Sequence, residues 1–234
     1  MLRVVLSTLL ACTLVLFAAC ATRGNADASY VFTYLKTGPA SATNTPAQKQ
    51  EIFKGHMANM KRLADERKLI IAGPYADPAD PTWRGLFIFD TPRVDEAHKL
   101  VATDPGVVAG EFVAECIPLR ATARLREFYD IFKAEDAKRS STPRDPTQPP
   151  PVRAYVIVTA RDSAKAEAAL AAASLDSSIV WWGRFAGSAS PGGVYVIDAK
   201  EPSDVRARLG QGPWVVDGWW SDTLVEKLPR VSID

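Results

Sequence analysis

The chain has 234 residues, nearly half of them apolar, enough for one large domain or two small ones with a real core, which excludes a disordered chain. Its 28 Lys and Arg almost cancel its 27 Asp and Glu, and neither sign forms a long block. That removes the electrostatic basis for a nucleic-acid partner, so neither DNA nor RNA is expected.

Residues 1–21 read as an export signal. Arg3 precedes an apolar run over residues 4–17, and Ala18, Ala19, Cys20 and Ala21 follow it. The run is short for a permanent membrane-spanning helix, and the small residues after it suit a signal peptidase. Leu16-Phe17-Ala18-Ala19-Cys20 resembles the lipobox of bacterial lipoproteins, in which the Cys becomes the lipidated first residue of the mature protein; Phe17 stands where an aliphatic residue is more usual. Ala19-Cys20-Ala21 can equally be read as an ordinary A-x-A cleavage site that frees a soluble periplasmic protein. Lipidation of Cys20 is the favoured reading, because a Cys just after the apolar run has no other evident use. Ala21 and Thr22 carry no acid, which resembles lipoproteins sorted to the outer membrane. The lipid would be the membrane contact. Cys12 leaves with the signal, so of three cysteines only Cys116 remains in the folded part, and one thiol forms no internal disulfide. No CxxC or Cys/His spacing suggests zinc, and neither a metal nor a cofactor is expected.

Residues 22–29 are small and polar, the composition of a tether. Residues 30–37, YVFTYLKT, are rich in aromatic and β-branched side chains and read as a strand. After a loop of Gly, Pro, Ser and Asn, Thr45-Pro46 supplies a cap and a first helical position. Ile52, Phe53, Met57, Met60 and Leu63 then recur at three and four, one face of a helix that reaches Arg67, with His56 beside that face. A second strand covers 68–75, with Gly73-Pro74 to bend or end it. The loop after it holds Trp83 and Arg84. GLFIFD at 85–90 is a third strand, 94–102 a short helix, and 111–119 a last strand that follows Asp104-Pro105-Gly106. The order βαββαβ is the split-βαβ, ferredoxin-like unit, with two helices on one face of a four-stranded antiparallel sheet. Residues 121–138 read as helical, with Leu125, Phe128, Ile131 and Phe132 on one side, and 139–151 form a polar, proline-rich connector.

The pattern then begins again, with strands at 154–158, 179–185, 193–198 and 219–224 and helices ending at Ala173 and Leu209. GLFIFD at 85–90 falls on GVYVID at 193–198, and at the same offset residues 104–110 fall on 212–218; residues 71–75 fall on 181–185. Such regularity means a duplicated unit. A sheet with helices on one face leaves its other face needing cover, and two such sheets can bury those faces against each other. The expected fold is therefore α+β, two tandem ferredoxin-like units over 30–120 and 152–234 pairing as an intramolecular barrel. One chain would do internally what a one-copy protein does as a homodimer.

The first unit resembles the YCII-related (YciI-like) domains of the dimeric α/β-barrel superfamily. The residues that carry the resemblance are His56, Leu69-Ile70-Ile71-Ala72-Gly73-Pro74, and Asp104-Pro105 with Val108-Ala109-Gly110. The resemblance implies a ferredoxin-like fold, pairing of two units into a barrel, and a pocket at which a His and an Asp act, here His56 and Asp104. The second unit departs from the pattern, with Ala166 expected at the level of His56 and Gly212 at that of Asp104. It adds Trp181, Trp182, Trp214, Trp219 and Trp220, which read as core and barrel interface first and as a stacking surface for a planar ligand second.

A His and an Asp can move a proton: the imidazole titrates near neutrality and a carboxylate on its other nitrogen fixes the tautomer. A His at the edge of a helix face is also commonly a hydrogen-bonded boundary residue, and an Asp before Pro a turn former. His98 reads as a solvated side chain, Arg84 as a solvated loop residue able to meet an anion, and Cys116 as a buried strand residue. No nucleotide-binding, serine-hydrolase or zincin motif is present. Two classes of function remain open. One is a cofactor-independent acid-base enzyme acting on a small cyclic or aromatic molecule through His56 and Asp104. The other is a non-catalytic envelope lipoprotein that binds a small molecule or a protein partner.

Overall fold

The computed structural model describes residues 27–140, 152–187 and 192–230. The expected signal, Cys20 and most of the connector lie outside the described residues. Among the described residues no helix is long and apolar enough to cross a membrane.

The first helix shows how the local sequence sets its own bounds. Thr45 and Gln48 form a reciprocal capping box, Thr45 Oγ1 accepting from the Gln48 N–H and Gln48 Oε1 from the Thr45 N–H, with Pro46 at the first turn. Helix α1 (Pro46–Asp65) ends where Arg67 turns left-handed, at φ 55°, and the Lys68 N–H reaches back to the Leu63 carbonyl. Its buried residues are His56, Asn59 and Leu63. The expected apolar face is thus displaced: Phe53 is 61 % exposed and Met57 37 %, and two polar side chains take the inward positions instead.

Eight antiparallel strands close into a barrel in the order β1-β3-β2-β8-β5-β7-β6-β4. They are β1 (Asp27–Thr37), β2 (Leu69–Ala76), β3 (Trp83–Phe89), β4 (Phe112–Thr122), β5 (Val152–Ala160), β6 (Ile179–Phe185), β7 (Gly193–Ile197) and β8 (Trp214–Asp222). Strand β1 begins at Asp27, so the expected tether already forms strand at its last residues, and Trp83 and Arg84 belong to β3 rather than to the loop before it. Only short ladders join the two halves: Tyr75 and Ala76 of β2 pair with Trp219 and Gly218 of β8, and β4 meets β6 at Leu119 to Ala121.

Alternation along the strands divides the side chains into two sets. Tyr30, Phe32, Leu86, Ile88, Leu119, Tyr155, Ile157, Val194, Val196, Trp181 and Trp219 pack together inside the barrel. Val31, Leu35, Phe87 and Phe89 face outward, where Leu63 of α1 and Ala97 and Val101 of α2 (Val94–Val101) cover them. The second half has its own outer layer, from Val156, Val158 and Tyr195 beneath α5 (Ser163–Ala172) and α6 (Pro202–Leu209). The amphipathic segment after β4 is a 3₁₀ turn over Ala123–Arg126 followed by α4 (Glu127–Ser140).

The strand registers correct the expected alignment of the halves. Val31 sits between Phe89 and Pro118, and Val156 between Ile197 and Gly218, so the shift is 108 residues at β3 and β7 but 100 at β4 and β8. Gly212 is therefore level with Phe112, and the second half lacks the loop that holds Asp104. Strand β8 begins at Trp214, five residues before the expected 219. The helices match from their C-termini, where Leu175 bonds back to Leu170 as Lys68 does to Leu63, after left-handed Ser174 and Arg67. That places Ser163, the first residue of α5, level with His56, and Ala166 level with Asn59.

Candidate functional site

His56 and Asp104 meet. Helix α1 carries the imidazole onto the outer face of the sheet, where its ring stacks on Phe87 at 5.8 Å and lies edge-on to Phe112 at 5.5 Å. Asp104 is brought there by the segment after α2, as the N-cap of a single helical turn, α3 (Pro105–Val108), which the sequence reading did not foresee. Pro at the first position and an Asp acceptor before it define that cap: Asp104 Oδ1 accepts the Gly106 N–H at 2.7 Å. The other carboxylate oxygen lies 2.7 Å from His56 Nδ1. Asp104 is fully buried, whereas the His56 side chain keeps 10 % of its surface exposed.

Both oxygens of Asp104 are thus engaged, and its angle to the imidazole is fixed from two sides. A carboxylate can only accept, so Nδ1 is the donor of this contact whenever Asp104 faces it as a carboxylate, and Nε2 is the nitrogen left for a second partner. Nε2 has no hydrogen-bond partner among the described residues. The two helices that hold the pair touch where α1 has Gly55; a Cβ there would come within 2.9 Å of Pro105 Cγ. Gly55 therefore sets the approach that makes the contact geometrically available.

A polar layer surrounds the pair. Asn59, one turn after His56, accepts from Arg62 Nη2 at 2.8 Å through Oδ1, which also lies 3.1 Å from Thr103 Oγ1. Its buried Nδ2 has no partner. Burial opposes ionisation of Glu111, but hydrogen bonds from Asn44 and Ser41, with Lys49 and Arg84 nearby, outweigh it and hold the carboxyl below its ordinary value. Glu111 thereby ties the start of β4 to the loop before α1. Asn59 and Glu111 were not singled out from the sequence, although Asn59 is three residues from His56 and so shares its helix face.

The remaining candidates do not join this site. His98 is exposed on α2. Arg84 is exposed, its guanidinium 6.0 Å from the Phe112 ring, on the rim of the His56 neighbourhood. Cys116 Sγ lies 3.3 Å from Thr33 Oγ1 and burial pushes the thiol up, away from nucleophilic use. The tryptophans divide between layers: Trp181 and Trp219 are inside the barrel, Trp182 and Trp214 pack on the outer layer, and Trp220 is 41 % exposed. A cleft of about 360 Å³ lies on the second half, between Arg153, Ser178, Asp198 and Arg208, and contains neither His56 nor Asp104. Nor is the His56 side chain beside the barrel interior: the sheet separates them. Among the described residues, no three His, Cys, Asp or Glu side chains come together as a metal site.

No curated protein matches the chain. Residues 30–119, the stretch that builds the His56–Asp104 pair and the sheet beneath it, match the YCII-related domain family.

Proposed function

We propose that the chain is an exported lipoprotein whose YCII-related domain is a cofactor-independent acid-base enzyme for a small cyclic or aromatic molecule. The observation that carries this reading is the 2.7 Å contact between His56 Nδ1 and a fully buried Asp104, with Nε2 unpartnered among the described residues. Nε2 takes a proton from the substrate or from water, and Asp104 steadies the imidazolium that forms while holding the ring in place. Phe53, Phe87 and Phe112 around the imidazole suit an apolar ring. The half-sheets run β4-β1-β3-β2 and β8-β5-β7-β6, an equivalence that supports two tandem ferredoxin-like units, the second without a site of its own. An anchor on Cys20 would hold the enzyme at the periplasmic side of the outer membrane, and a Cys20→Ser chain is then expected to leave the membrane fraction.

A second reading, binding without turnover, is favoured by the small opening at the ring, with only a tenth of the His56 side chain in solvent. Screening the full chain against lactones, haloaromatics and cyclic enones by mass spectrometry separates the two. On the enzymatic reading, His56→Ala and Asp104→Asn each lower kcat/KM for the converted compound by roughly 100-fold or more while the circular dichroism stays native. Retained turnover in His56→Ala, or ligands that bind the native chain and are never converted, would leave binding as the function.

A further inference from the structure

On the opposite face of the sheet from His56, one end of the barrel interior holds polar atoms that the fold does not satisfy. They come from both halves of the chain. Trp83 Nε1 and Asp217 Oδ2 are buried and have no hydrogen-bond partner among the described residues, while Tyr75 OH and Thr159 Oγ1 have only the Tyr34 hydroxyl to turn to. The strands place them together: Tyr34, Tyr75 and Trp83 stand at the ends of β1, β2 and β3, and Thr159 and Asp217 lie diagonally across β5 and β8. The Tyr34 and Trp83 rings are 4.8 Å apart and Tyr75 lies 5.4 Å from Trp83. Buried polar groups are nearly always paired, so Trp83 Nε1 and Asp217 Oδ2 beside one aromatic cluster call for a partner from outside the chain.

The charge at this end says what kind. Asp217 has no exposed surface, and only its Oδ1 is used, by the Ala79 N–H at 2.8 Å. It has no ion-pair partner among the described residues; the nearby Arg206 directs both Nε and Nη2 to the Val216 carbonyl. Asp77 and Asp80 in the loop over this end add to its negative field, and Glu115 at the rim is paired with Lys36. Burial, with Asp77 and Asp80 adding and the Ala79 N–H and Arg206 opposing, pushes the Asp217 carboxyl up. Burial above all, with Glu115 and Asp217 adding and hydrogen bonds with Thr159 and Tyr75 opposing, pushes the Tyr34 hydroxyl up to about 12. A cation relieves this field, and aromatic faces attract one. The chain already shows the preference at the rim, where Lys36 Nζ lies 6.0 Å from the Tyr34 ring centroid.

We propose that this end of the barrel is a second ligand site, taking a small planar organic cation whose N–H donors meet Asp217 Oδ2 and whose ring lies against Tyr34, Tyr75 and Trp83. The site is independent of the His56 chemistry and needs both halves of the chain. Its test is calorimetric titration of the full chain with benzamidinium chloride, with sodium benzoate as the anion of similar shape. The expected result is saturable benzamidinium binding with a Kd of about 1 mM or tighter and none by benzoate. Asp217→Asn keeps an acceptor for Ala79 and is expected to weaken binding at least about tenfold. His56→Ala leaves the affinity unchanged, which separates this site from the acid-base pair. Absence of saturation by about 10 mM, equal binding of benzoate, or an unchanged Kd in Asp217→Asn would overturn the proposal.

Discussion

His56 and Asp217 are both buried polar residues, and the fold treats them oppositely. His56 has a buried acceptor on Nδ1, and that acceptor is itself pinned by the Gly106 N–H. Asp217 is buried with one oxygen unsatisfied and its carboxyl pushed up, chiefly by loss of solvent. Between the unfolded value of 3.8 and the raised folded one, the folded chain keeps a proton that the unfolded chain has released. Stability contributed by that proton falls as pH rises through this window, and above it the full penalty of a buried charge remains. Asp217→Asn removes the penalty, so the variant is expected to melt above the native chain near pH 8, with the gap closing towards pH 3.8, as followed by thermal denaturation. Equal melting temperatures at both pH values would show that Asp217 carries no such strain. The expected last strand, 219–224, leaves Asp217 and Gly218 outside it. Asp217 lies mid-strand because Gly218 must pass the β2 backbone, a Cβ there coming within 2.8 Å of the Ala76 carbonyl. Nothing in the residue pattern carries that contact, whereas His56 and Asp104 were both legible from the family resemblance.

At the scale of elements, the periodic segments were legible and the closures between them were not. The strands and helices of the first half fall close to their expected bounds because alternation, caps and turn residues are local signals. The rotation of α1 was misread: an apolar stripe through Phe53 and Met57 predicts burial, but the helix turns His56 and Asn59 inward, towards α3 and Thr103. Barrel closure depends on a glycine at each seam between the halves. At the β2–β8 seam a Cβ on Gly73 would lie 2.0 Å from the Trp220 carbonyl oxygen and 2.8 Å from Trp219 Nε1. At the β4–β6 seam a Cβ on Gly183 would lie 2.8 Å from Leu119 Cδ1 and 2.9 Å from the Arg120 carbonyl oxygen. The first clash is with backbone at a short range and cannot be relieved by a rotamer change. Gly73→Ala is therefore expected to cost about 3 kcal/mol and Gly183→Ala less, about 1 kcal/mol, read as shifts in the denaturant midpoint. If Gly73→Ala were no worse than Gly183→Ala, close strand approach at that seam would not be what the glycine provides.

For the whole molecule, the two halves are bound chiefly through the barrel interior and two short seams, with α4 packed against the C-terminal 3₁₀ turn Thr223–Lys227. The need of a one-sided sheet for cover was legible from the βαββαβ order of the first half, but the order of closure was not, because seam registers depend on contacts between residues about 60 to 145 positions apart. The strand order makes one consequence testable. In the first half alone, residues 27–140, the edges β2 and β4 lose their partners, and Tyr30, Phe32, Leu86, Ile88 and Leu119 lose their cover. The positions taken by β6 and β8 in the closed barrel correspond to β2 and β4 of the first half, so a second copy can supply both missing strands by one two-fold rotation. Residues 27–140 expressed alone are therefore expected to sediment as a dimer that retains the His56–Asp104 contact, while the full chain sediments as a monomer. Replacing Phe32 with Asp in the fragment places a charge on the joined faces and should return it to an unfolded or monomeric state. A folded, monomeric fragment would show that the first half covers its own sheet, and the second half would then need another reason to be there.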